Sequence, residues 1–499
     1  MKRVLLINWD NYPNVSSGGV YTWEKTFVEG MQDSEFVVLN QLSNTNASGI
    51  YSVPKNVREV IEVPIFGTNR YEEFSRQDDS LVSKILRTTD AVVQRKFQPL
   101  LGEFLRNILA DTCEPEQVKN SIFKLHKFLT FYDAKKCFEH PIAWDTFLKQ
   151  ISTDPLYSQM ELKEALDAFQ FFQRGLQVIS IEIPRVDLVH CSLAWLPSMV
   201  AVCAKKEYNA PIVLTEHGVA YKEQLLNYNT LMHDESSKMF WKTLARNIIT
   251  TVYSEADAIV PVCVSNSVWE RMLGAEESKI SVIYNGIDTK KFRPMETSRT
   301  NERPTIVSVA RIDVYKDITT LIQAVNYVRE VVPQIECLMF GASIDLEYSL
   351  KCANLVKTLH LENNFKFMGG TKEPEKAYNR GDIVAFSGIT EGFPFSVIEA
   401  MACGKAVVAA DVGGVSEALD GCGILVRSRS PQDLANGIIE LVENKRLRDE
   451  LGAAACKRAR ERFSLETSID QYRKLYNSLI ALPAKEIRKQ RPAEIVVKR

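Results

Sequence analysis

The sequence predicts an α/β protein with parallel sheets, because short apolar strand segments alternate with helical patterns along most of the chain. Segments such as residues 4–7 are continuously apolar, as buried parallel strands are. At 499 residues the chain is too long for one ordinary hydrophobic core, so two or three domains are expected. The hydrophobic content of 45% and the charged content of 25% are typical of soluble globular proteins.

The composition argues against several functional classes. The net charge of −2 is not that of a dedicated nucleic-acid-binding protein. The ten cysteines are scattered, with no C-x-x-C pair and no histidine cluster at zinc spacing, and they indicate reduced thiols in a cytoplasmic protein. The apolar start of the chain is too short for a signal peptide, and no apolar run reaches about 18 residues, so a membrane-spanning helix is not expected.

The first strand, residues 4–7, leads into a loop that ends in Gly18 and Gly19, and a helix is predicted over residues 20–31. A strand, a glycine-containing loop and a helix allow backbone amides to approach an anion, although the glycines are equally consistent with a plain turn. Two further strands are predicted at residues 35–39 and 57–63.

Residues 70–177 have a different pattern, with long helical periodicity over residues 81–110 and 162–176. This region contains no nucleotide-binding motif. We interpret it as a helical insertion into the first domain. It either covers an acceptor groove or docks a partner, or it is a purely structural elaboration.

Strands return at residues 186–191 and 211–218, and the second of them ends in Glu216-His217-Gly218. Ligands bind beyond the carboxyl ends of the strands in open parallel sheets, so His217 is a candidate site residue. A lone histidine is also compatible with a structural role. His190 ends the preceding strand, and for it we favour the structural role.

Strands are also predicted at residues 258–264 and 280–284, followed by a tight turn at 285–288. The polar residues 295–303 are the expected linker. After it, the strand 305–310 precedes Arg311 and Lys316, two cations that could clamp a diphosphate or could be ordinary surface charges. The remaining strands are expected at 334–340, 364–368, 383–386, 406–410 and 423–426, with helices at 434–451 and 465–482 and a disordered basic tail at 484–499.

The stretch from Glu391 to Gly404 follows the strand 383–386 and has two interpretations. Ser396 is a suitable N-cap for a helix over 397–403, with Gly404 as its C-terminal stop. Phosphate would suit the helix N-terminus, with Glu391 and Glu399 reaching hydroxyls on either side of it, as a sugar nucleotide requires. Alternatively, Ser396 and Glu399 form only a capping box.

An ordered set of motifs spans both predicted domains and resembles that of the family 4 retaining glycosyltransferases of the GT-B fold. The motifs are Gly18-Gly19, Glu216-His217-Gly218, Asn285-Gly-Ile-Asp288, Arg311 with Lys316, and Glu391 to Gly404 with its two glutamates eight residues apart. The phrases 8–23, 214–218 and 311–318 are similar to those of the cytosolic Pel exopolysaccharide glycosyltransferases, a group that also has a helical insertion in its first domain. Two positions depart from the family pattern: Gly388, where serine is common, and Asp317, where many relatives have glycine.

The resemblance implies a GT-B architecture of two Rossmann-like, doubly wound domains that face a cleft. The expected divisions are an acceptor-side domain at 1–295 (with the helical insertion at about 70–177), a nucleotide-sugar domain at 304–464, a C-terminal helix at 465–483 that packs back on the first domain, and the tail at 484–499.

The resemblance also implies a role for each candidate residue. Arg311 and Lys316 would neutralise the leaving diphosphate, Glu391 would hold the donor sugar, and His217 would approach that sugar from the other domain. The expected binding contacts are the backbone amides of Phe395, Ser396 and Val397 to phosphate, Glu399 to the ribose, Gly370 near the base, and Gly18 and Gly19 near phosphate or acceptor.

The implied activity is transfer of a hexose from UDP-glucose or a related UDP-hexose to a growing exopolysaccharide, as in biofilm formation. Retention is expected by front-side attack without a protein nucleophile. No Asp-x-Asp motif is present, so neither a metal nor another cofactor is expected. The expected partners are the nucleotide-sugar donor, a glycan acceptor and membrane-bound synthase or export subunits, which would hold a cytoplasmic protein at the inner face of the membrane. The alternatives are a nucleotide-sugar-binding scaffold or sensor, a UDP-sugar epimerase and a glycoside hydrolase.

Overall fold

The computed structural model describes residues 1–14, 18–43, 52–65, 81–231, 234–296 and 303–481. These residues form two compact units. The first contains Met1–Pro261, Ser267–Val282 and the chain from Tyr472, and the second contains Val262–Asn266 and Ile283–Gln471. Each unit has its own parallel sheet covered by helices, so the predicted α/β class is confirmed.

The sheet of the first unit has the doubly wound strand order β3-β2-β1-β4-β5-β6. Every pair of neighbouring strands is parallel. The apolar residues 4–7 are fully buried in its central strand, as their continuous hydrophobicity predicts. The strands are β1 Lys2–Trp9, β2 Ser34–Leu42, β3 Val57–Pro64, β4 Leu188–Cys191, β5 Ile212–Glu216 and β6 Ala258–Pro261.

The predicted helical insertion is present, and its described part begins at Leu81. The insertion shares one hydrophobic core with the sheet, because Phe104 and Phe147 belong to the same buried cluster as Leu5 and Ile7. Helix α1 is Gly19–Gly30. The insertion helices are α2 Leu81–Arg87, α3 Asp90–Val92 (continued by a π-helical turn, Val93–Phe97), α4 Gln98–Ile108, α5 Pro115–Phe131, α6 Ala134–Glu139, α7 Pro141–Thr153 and α8 Leu162–Gly175.

Further helices lie between the insertion and the first strand of the second sheet. Short 3₁₀ helices lie at Leu176–Ser180, Leu196–Ser198 and Glu277–Lys279. The helices are α9 Met199–Tyr208, α10 Ala220–Leu231, α11 Glu235–Glu255 and α12 Val264–Met272.

The sheet of the second unit repeats the doubly wound order, here β12-β11-β10-β7-β8-β9. The order reverses between β7 and β10, which is where ligands bind in sheets of this kind. The strands are β7 Thr305–Val309, β8 Glu336–Phe340, β9 Phe365–Gly369, β10 Ile383–Phe386, β11 Ala406–Ala410 and β12 Ile424–Val426.

Helices cover both faces of this second sheet, as in other doubly wound domains. They are α13 Ile318–Val331, α14 Leu346–Thr358, α15 Pro374–Asn379, α16 Phe395–Ala402, α17 Val415–Leu419, α18 Pro431–Glu443 and α19 Lys445–Arg462. Helix α20, Leu465–Ile480, follows, and from Tyr472 onward it belongs to the first unit. In the portion of the chain that the structure covers, no helix is long and apolar enough to cross a bilayer.

Two predicted elements differ in the structure. Residues 280–284 do not form a strand, since only Ile280 makes an isolated bridge, to Ile259. The helix predicted at 434–451 is two helices, because the side chain of Asn444 accepts the backbone N–H of Leu447 at 3.0 Å and starts a new helix there. The predicted tail at 484–499 lies outside the described residues.

His190 has a structural role in the first unit, as we favoured from the sequence. Its ring is fully buried. Its Nδ1 lies 2.7 Å from the hydroxyl of Tyr476, and its Nε2 lies 2.8 Å from Oγ1 of Thr215. With both ring nitrogens occupied inside the core, His190 joins β4 to the C-terminal helix α20.

Candidate functional site

The candidate site of the second unit lies at the carboxyl ends of β7 and β10, at the reversal of strand order. The loop after β7 carries Arg311 and Lys316, and the loop after β10 carries Glu391. Because β7 and β10 are neighbouring strands, the two loops come together, and Lys316 contacts Glu391 although 75 positions separate them in the sequence.

Lys316 and Glu391 form a direct ion pair. The two side chains are only 18% and 14% exposed, so each charge depends strongly on the other. The Lys316 ammonium also lies 5.8 Å from the centre of the Phe386 ring. Because an ammonium has three donors, Lys316 can hold Glu391 and still bind an incoming anion.

Asp313 organises the loop after β7. Its Oδ1 accepts the backbone N–H groups of Tyr315 and Lys316, both at 3.0 Å, and its Oδ2 lies 3.3 Å from Nε of Arg311. Asp313 is buried, whereas half of the Arg311 side chain is exposed. We did not select Asp313 from the sequence. The sequence does contain a signal for this role: the aspartate precedes the two amides that it binds by two and three residues, which is the spacing of an Asx turn.

Asp317 explains one departure from the family pattern. Its backbone has φ 46° and ψ 53°, in the left-handed region that favours glycine and tolerates aspartate. Its side chain also caps α13, since its Oδ1 accepts the backbone N–H of Thr320 at 3.4 Å. The same carboxylate accepts the hydroxyls of Thr319 and Thr320 at 2.8 and 2.6 Å. The cap offsets the backbone cost, so an aspartate is compatible with this position.

Hydrogen bonds join the two loops that carry the ion pair. The Ser387 hydroxyl donates to the carbonyl oxygen of Lys316, and the Ile389 N–H donates to that of Tyr315, both at 2.9 Å. These bonds fix the start of the Glu391 loop against the backbone of Lys316.

Two distant segments support the other side of the Glu391 loop. The N–H of Gly414 donates to the carbonyl oxygen of Gly392 at 2.7 Å, and the Asn285 amide donates to that of Phe393 at 3.0 Å. Gly413 has φ +55°, and a Cβ there would clash with the carbonyl of Glu391. Gly413 and Gly414 were not predicted as site residues. Their signal was a glycine pair separated from the end of β11 by only two residues.

Helix α16 begins at Phe395, so the prediction that Ser396 is its N-cap was wrong. Pro394 takes that position with φ −76°, because its ring fixes the backbone angle at the end of the loop. The Val397 N–H donates to the carbonyl of Pro394 at 3.2 Å, so this amide is already engaged. The amides of Phe395 and Ser396 are in the first turn, where helix geometry supplies no acceptor. Gly404 follows the helix with φ +71°, as a C-terminal stop does.

Glu399 does not form the capping box that we considered as an alternative. Its Oε2 accepts the hydroxyl of Tyr378 at 2.9 Å. Burial raises the pKa of Glu399 to about 7, although the Tyr378 hydrogen bond and the charge of Lys291 act in the opposite direction. The pKa of the Glu399 carboxyl group is therefore close to neutral pH. The group contacts the neighbouring helix α15 rather than the N-terminus of its own helix, α16.

Gly370 follows β9 at the edge of the second sheet and is exposed. The carbonyl oxygen of the preceding Gly369 accepts the N–H of Gly341 at 2.9 Å. This edge offers backbone groups without side-chain obstruction at Gly370, and it is two strands away from β7.

His217 follows β5 in the first unit, at the carboxyl end of the sheet. Its ring centre lies 4.5 Å from that of Trp23 on α1, and its Nε2 has no hydrogen-bond partner among the described residues. Burial lowers the pKa of His217 to about 3, so the ring is neutral at physiological pH. His217 thus differs from His190 in having a ring nitrogen available to a ligand.

Gly18 and Gly19 lie at the start of α1, in the same unit as His217. Gly18 has φ +117° and open space around it, so the glycine is required for its backbone angle rather than for close packing. Among the described residues, no side chain caps this helix. The first-turn amides are consequently available to solvent or to a ligand.

A buried group of acids lies beside His217. Glu216 accepts the hydroxyl of Tyr253 at 3.2 Å, and its pKa is raised by burial and by Glu270. Both carboxyl oxygens of Glu270 lack a hydrogen-bond partner among the described residues, and burial raises its pKa to about 8. Glu270 is therefore largely protonated at neutral pH, a property that the sequence pattern did not reveal.

Two family descriptions match this chain. Residues 2–278 match Domain of unknown function (DUF3492), which is more than half of the sequence. The chain belongs to that family. Residues 290–458 match Glycosyl transferases group 1, so the second sheet and its site lie within a glycosyltransferase domain.

Curated relatives of the chain are also glycosyltransferases. An uncharacterized glycosyltransferase of Methanocaldococcus jannaschii is 27% identical over 54% of this chain and 68% of its own length. The N,N'-diacetylbacillosaminyl-diphospho-undecaprenol alpha-1,3-N-acetylgalactosaminyltransferase of Campylobacter jejuni is 27% identical over 48% of this chain and 66% of its own length.

Solved structures show the same fold. Sucrose-phosphate synthase from Thermosynechococcus elongatus has a TM-score of 0.62 at 17% identity, and it covers 96% of this chain and 100% of its own. Anabaena HepE in complex with UDP and glucose has a TM-score of 0.59 at 16% identity, with the same coverage. The chain thus has the GT-B fold of these structures, and its second sheet lies in a glycosyl transferases group 1 domain.

Replacing Gly413 by alanine is expected to lower glycosyltransferase activity at least tenfold while the protein remains folded. The added Cβ displaces the Glu391 carbonyl and with it the Lys316 contact. Gly421→Ala is the matched control, because Gly421 also has a positive φ, +83°, but no atom lies within 4 Å of its Cβ position. Equal activity of the two variants, measured at equal thermal stability, would contradict the support role of Gly413.

Replacing Glu270 by glutamine is expected to stabilise the protein increasingly as the pH rises. The folded-state pKa of about 8 exceeds the ordinary value of 4.5, so the stability that the protonated carboxyl contributes is complete below about pH 4.5 and is lost through pH 8. Urea unfolding at pH 5, 7 and 9 should show a variant advantage that grows by up to about 1.4 kcal/mol per pH unit. The exposed Glu276→Gln should show no such trend, and a flat difference for Glu270→Gln would refute the assignment.

Proposed function

We propose that this protein transfers a hexose from a UDP-sugar, such as UDP-glucose, to a growing exopolysaccharide with retention of the anomeric configuration. The observation that carries the proposal is the mostly buried Lys316–Glu391 pair at the reversal of strand order, inside the glycosyl transferases group 1 domain. A cation for a phosphate and a carboxylate for sugar hydroxyls meet there in one contact.

Donor binding begins with the diphosphate in this proposal. The exposed Arg311 guanidinium, at present beside Asp313, turns to a phosphate oxygen, and Lys316 adds a second positive charge. The first-turn amides of Phe395 and Ser396 contribute the positive end of the α16 dipole. Val397 is a weaker candidate for phosphate, because its N–H already has an acceptor.

The Lys316–Glu391 contact then changes partner. As the diphosphate takes up part of the Lys316 charge, oxygens of Glu391 become available to accept hydrogen bonds from the hydroxyls of the donor sugar. Phosphate binding and sugar binding are coupled in this way, since neither charge is left buried alone.

The other candidate residues take the remaining parts of the substrate. Glu399 accepts the ribose hydroxyls, the base lies near Gly370, and the neutral His217 ring offers Nε2 to a sugar hydroxyl. Gly18 and Gly19 allow close approach of phosphate or acceptor to the start of α1.

The proposed chemistry needs no protein nucleophile and no metal. The acceptor hydroxyl attacks the anomeric carbon on the side from which the phosphate departs, and the departing phosphate takes the acceptor proton. Two cations and a helix N-terminus stabilise the negative charge that develops on the diphosphate.

The choice of donor comes from structural neighbours, and the choice of setting comes from the sequence motifs. HepE was solved with UDP and with glucose, and sucrose-phosphate synthase shares the fold, which favours UDP-glucose as the first donor to test. Assignment to family 4 and to the Pel group rests on the motifs, as do the membrane-bound synthase partners, the cytoplasmic location at the inner membrane face and a role in biofilm.

The test is transfer from UDP-, GDP- and ADP-hexoses to oligosaccharide acceptors, with and without EDTA. We expect UDP-hexose turnover that survives EDTA, a product with the donor's anomeric configuration by NMR, and a loss of 10²-fold or more in Lys316→Met and Glu391→Gln. The matched control is Lys366→Met. It breaks the ion pair with Glu336, which lies at the amino ends of β8 and β9, whereas the site lies at the carboxyl ends of the strands.

Several outcomes would redirect the assignment. Full activity of Lys316→Met or Glu391→Gln refutes the proposed site. Interconversion of UDP-sugars without acceptor indicates an epimerase, and tight UDP binding without turnover on any acceptor indicates a scaffold or sensor. Inhibition by EDTA that added metal restores refutes metal independence alone.

A further inference from the structure

The strongest unassigned feature of the site is the hydroxyl of Tyr378. Tyr378 lies on α15 and is fully buried. It belongs to the hydrophobic core beneath α16, and its ring centre lies 6.4 Å from that of Phe292. The packing leaves the ring little freedom, so the hydroxyl is a fixed donor, and it contacts Glu399 at 2.9 Å.

This hydrogen bond fixes one half of the Glu399 carboxyl group. Oε2 is occupied by Tyr378, and Oε1 is the oxygen that remains for a ligand. A glutamate has three side-chain torsions that must be ordered before it can bind. A rigid phenol that holds one oxygen therefore orders the other in advance of ligand binding.

The charged groups around Glu399 do not duplicate this role. From α15, Glu375 faces it with a like charge; from the segment 289–295, Lys291 faces it; and from its own helix, Cys403 lies nearby. The Lys291 ammonium lies 3.5 Å from Oε2 of Glu375, so its charge is shared with that carboxylate. Tyr378 is thus the direct hydrogen-bond donor to a carboxyl group that burial would otherwise keep protonated.

We propose that Tyr378 is a positioning residue for the donor nucleoside: its hydrogen bond holds Oε2 of Glu399, so that Oε1 is oriented to accept the ribose hydroxyls. The inference rests on the proposed function, in which Glu399 binds ribose. Tyr378 itself does not touch the substrate. Its removal should weaken nucleotide binding and raise KM, whereas kcat at saturating donor should change little, because the ribose is remote from the reacting bond.

The test is calorimetric titration with UDP at pH 6.5, 7.5 and 9 for the wild type and for Tyr378→Phe. Phenylalanine preserves the buried ring and removes only the hydroxyl. We expect binding to be about tenfold weaker at pH 6.5, which is the effect of one lost hydrogen bond to a charged group. The deficit should shrink at pH 9, where Glu399 ionises without assistance.

Two further variants separate positioning from a general loss of structure. Tyr157→Phe removes an equally buried hydroxyl, bonded to the carbonyl of Leu109 in the first unit, and should leave UDP affinity unchanged at every pH. In the Glu399→Gln background, adding Tyr378→Phe should cost little more at any of the three pH values.

The outcomes are distinct. Unchanged UDP affinity in Tyr378→Phe, or a loss that is equal at all three pH values and additive with Glu399→Gln, overturns the inference and leaves the proposed function standing. A wild-type protein that binds no UDP overturns the proposed function itself. Should Tyr378→Phe fail to fold, a ratio of wild-type to Glu399→Gln affinity for UDP that is the same at all three pH values would still overturn the inference.

Discussion

The contact between Lys316 and Glu391 is the interaction on which the second unit's site depends. Breaking a buried ion pair by removal of one partner typically costs about 3–5 kcal/mol, because it leaves the other charge uncompensated. The surrounding contacts serve to keep the pair together. Ser387 and Ile389 bind the loop of the lysine, while Gly414 and Asn285 hold the loop of the glutamate from the other side. Hydrogen bonds to the backbone thus hold the two loops of the site around a single ion pair, whose partners can change when a ligand binds.

Burial also shifts the pKa values of two other candidate residues, Glu399 and His217, and the two shifts have opposite directions. Burial raises the pKa of the carboxyl to about 7 and lowers that of the imidazole to about 3. Both shifts disfavour the charged form. A neutral histidine with a vacant nitrogen suits hydroxyl recognition, whereas a carboxyl near its midpoint depends on a hydrogen-bond donor such as Tyr378 to remain ionised.

The sequence was sufficient for features that are local or that follow from parallel-sheet topology. Arg311, Lys316 and Glu391 were found because each follows a recognisable strand, and adjacent strands bring their loops together. Tyr378 was missed because no local pattern encodes its contact with Glu399, 21 residues away. Asp313 and Gly413 had local signals, but an Asx-turn spacing and a glycine pair do not by themselves indicate a site. Ser396 was wrongly predicted to be the N-cap of α16. Serine favours that position, but the fixed backbone angle of Pro394 places the N-cap at Pro394 instead. Residues 280–284 have strand-like apolarity, but only Ile280 finds a bridging partner.

The shared core of the helical insertion and the first sheet has a consequence for how this protein can vary. Leu5 and Ile7 of the central strand belong to one buried cluster with Phe104 and Phe147 of the insertion. An appended module with a core of its own can be lost or exchanged, whereas this one cannot be removed without uncovering the sheet. The two parts should unfold in a single cooperative transition. Change in the insertion is therefore confined to its outer helix faces, and its inner faces evolve together with the strands that they cover.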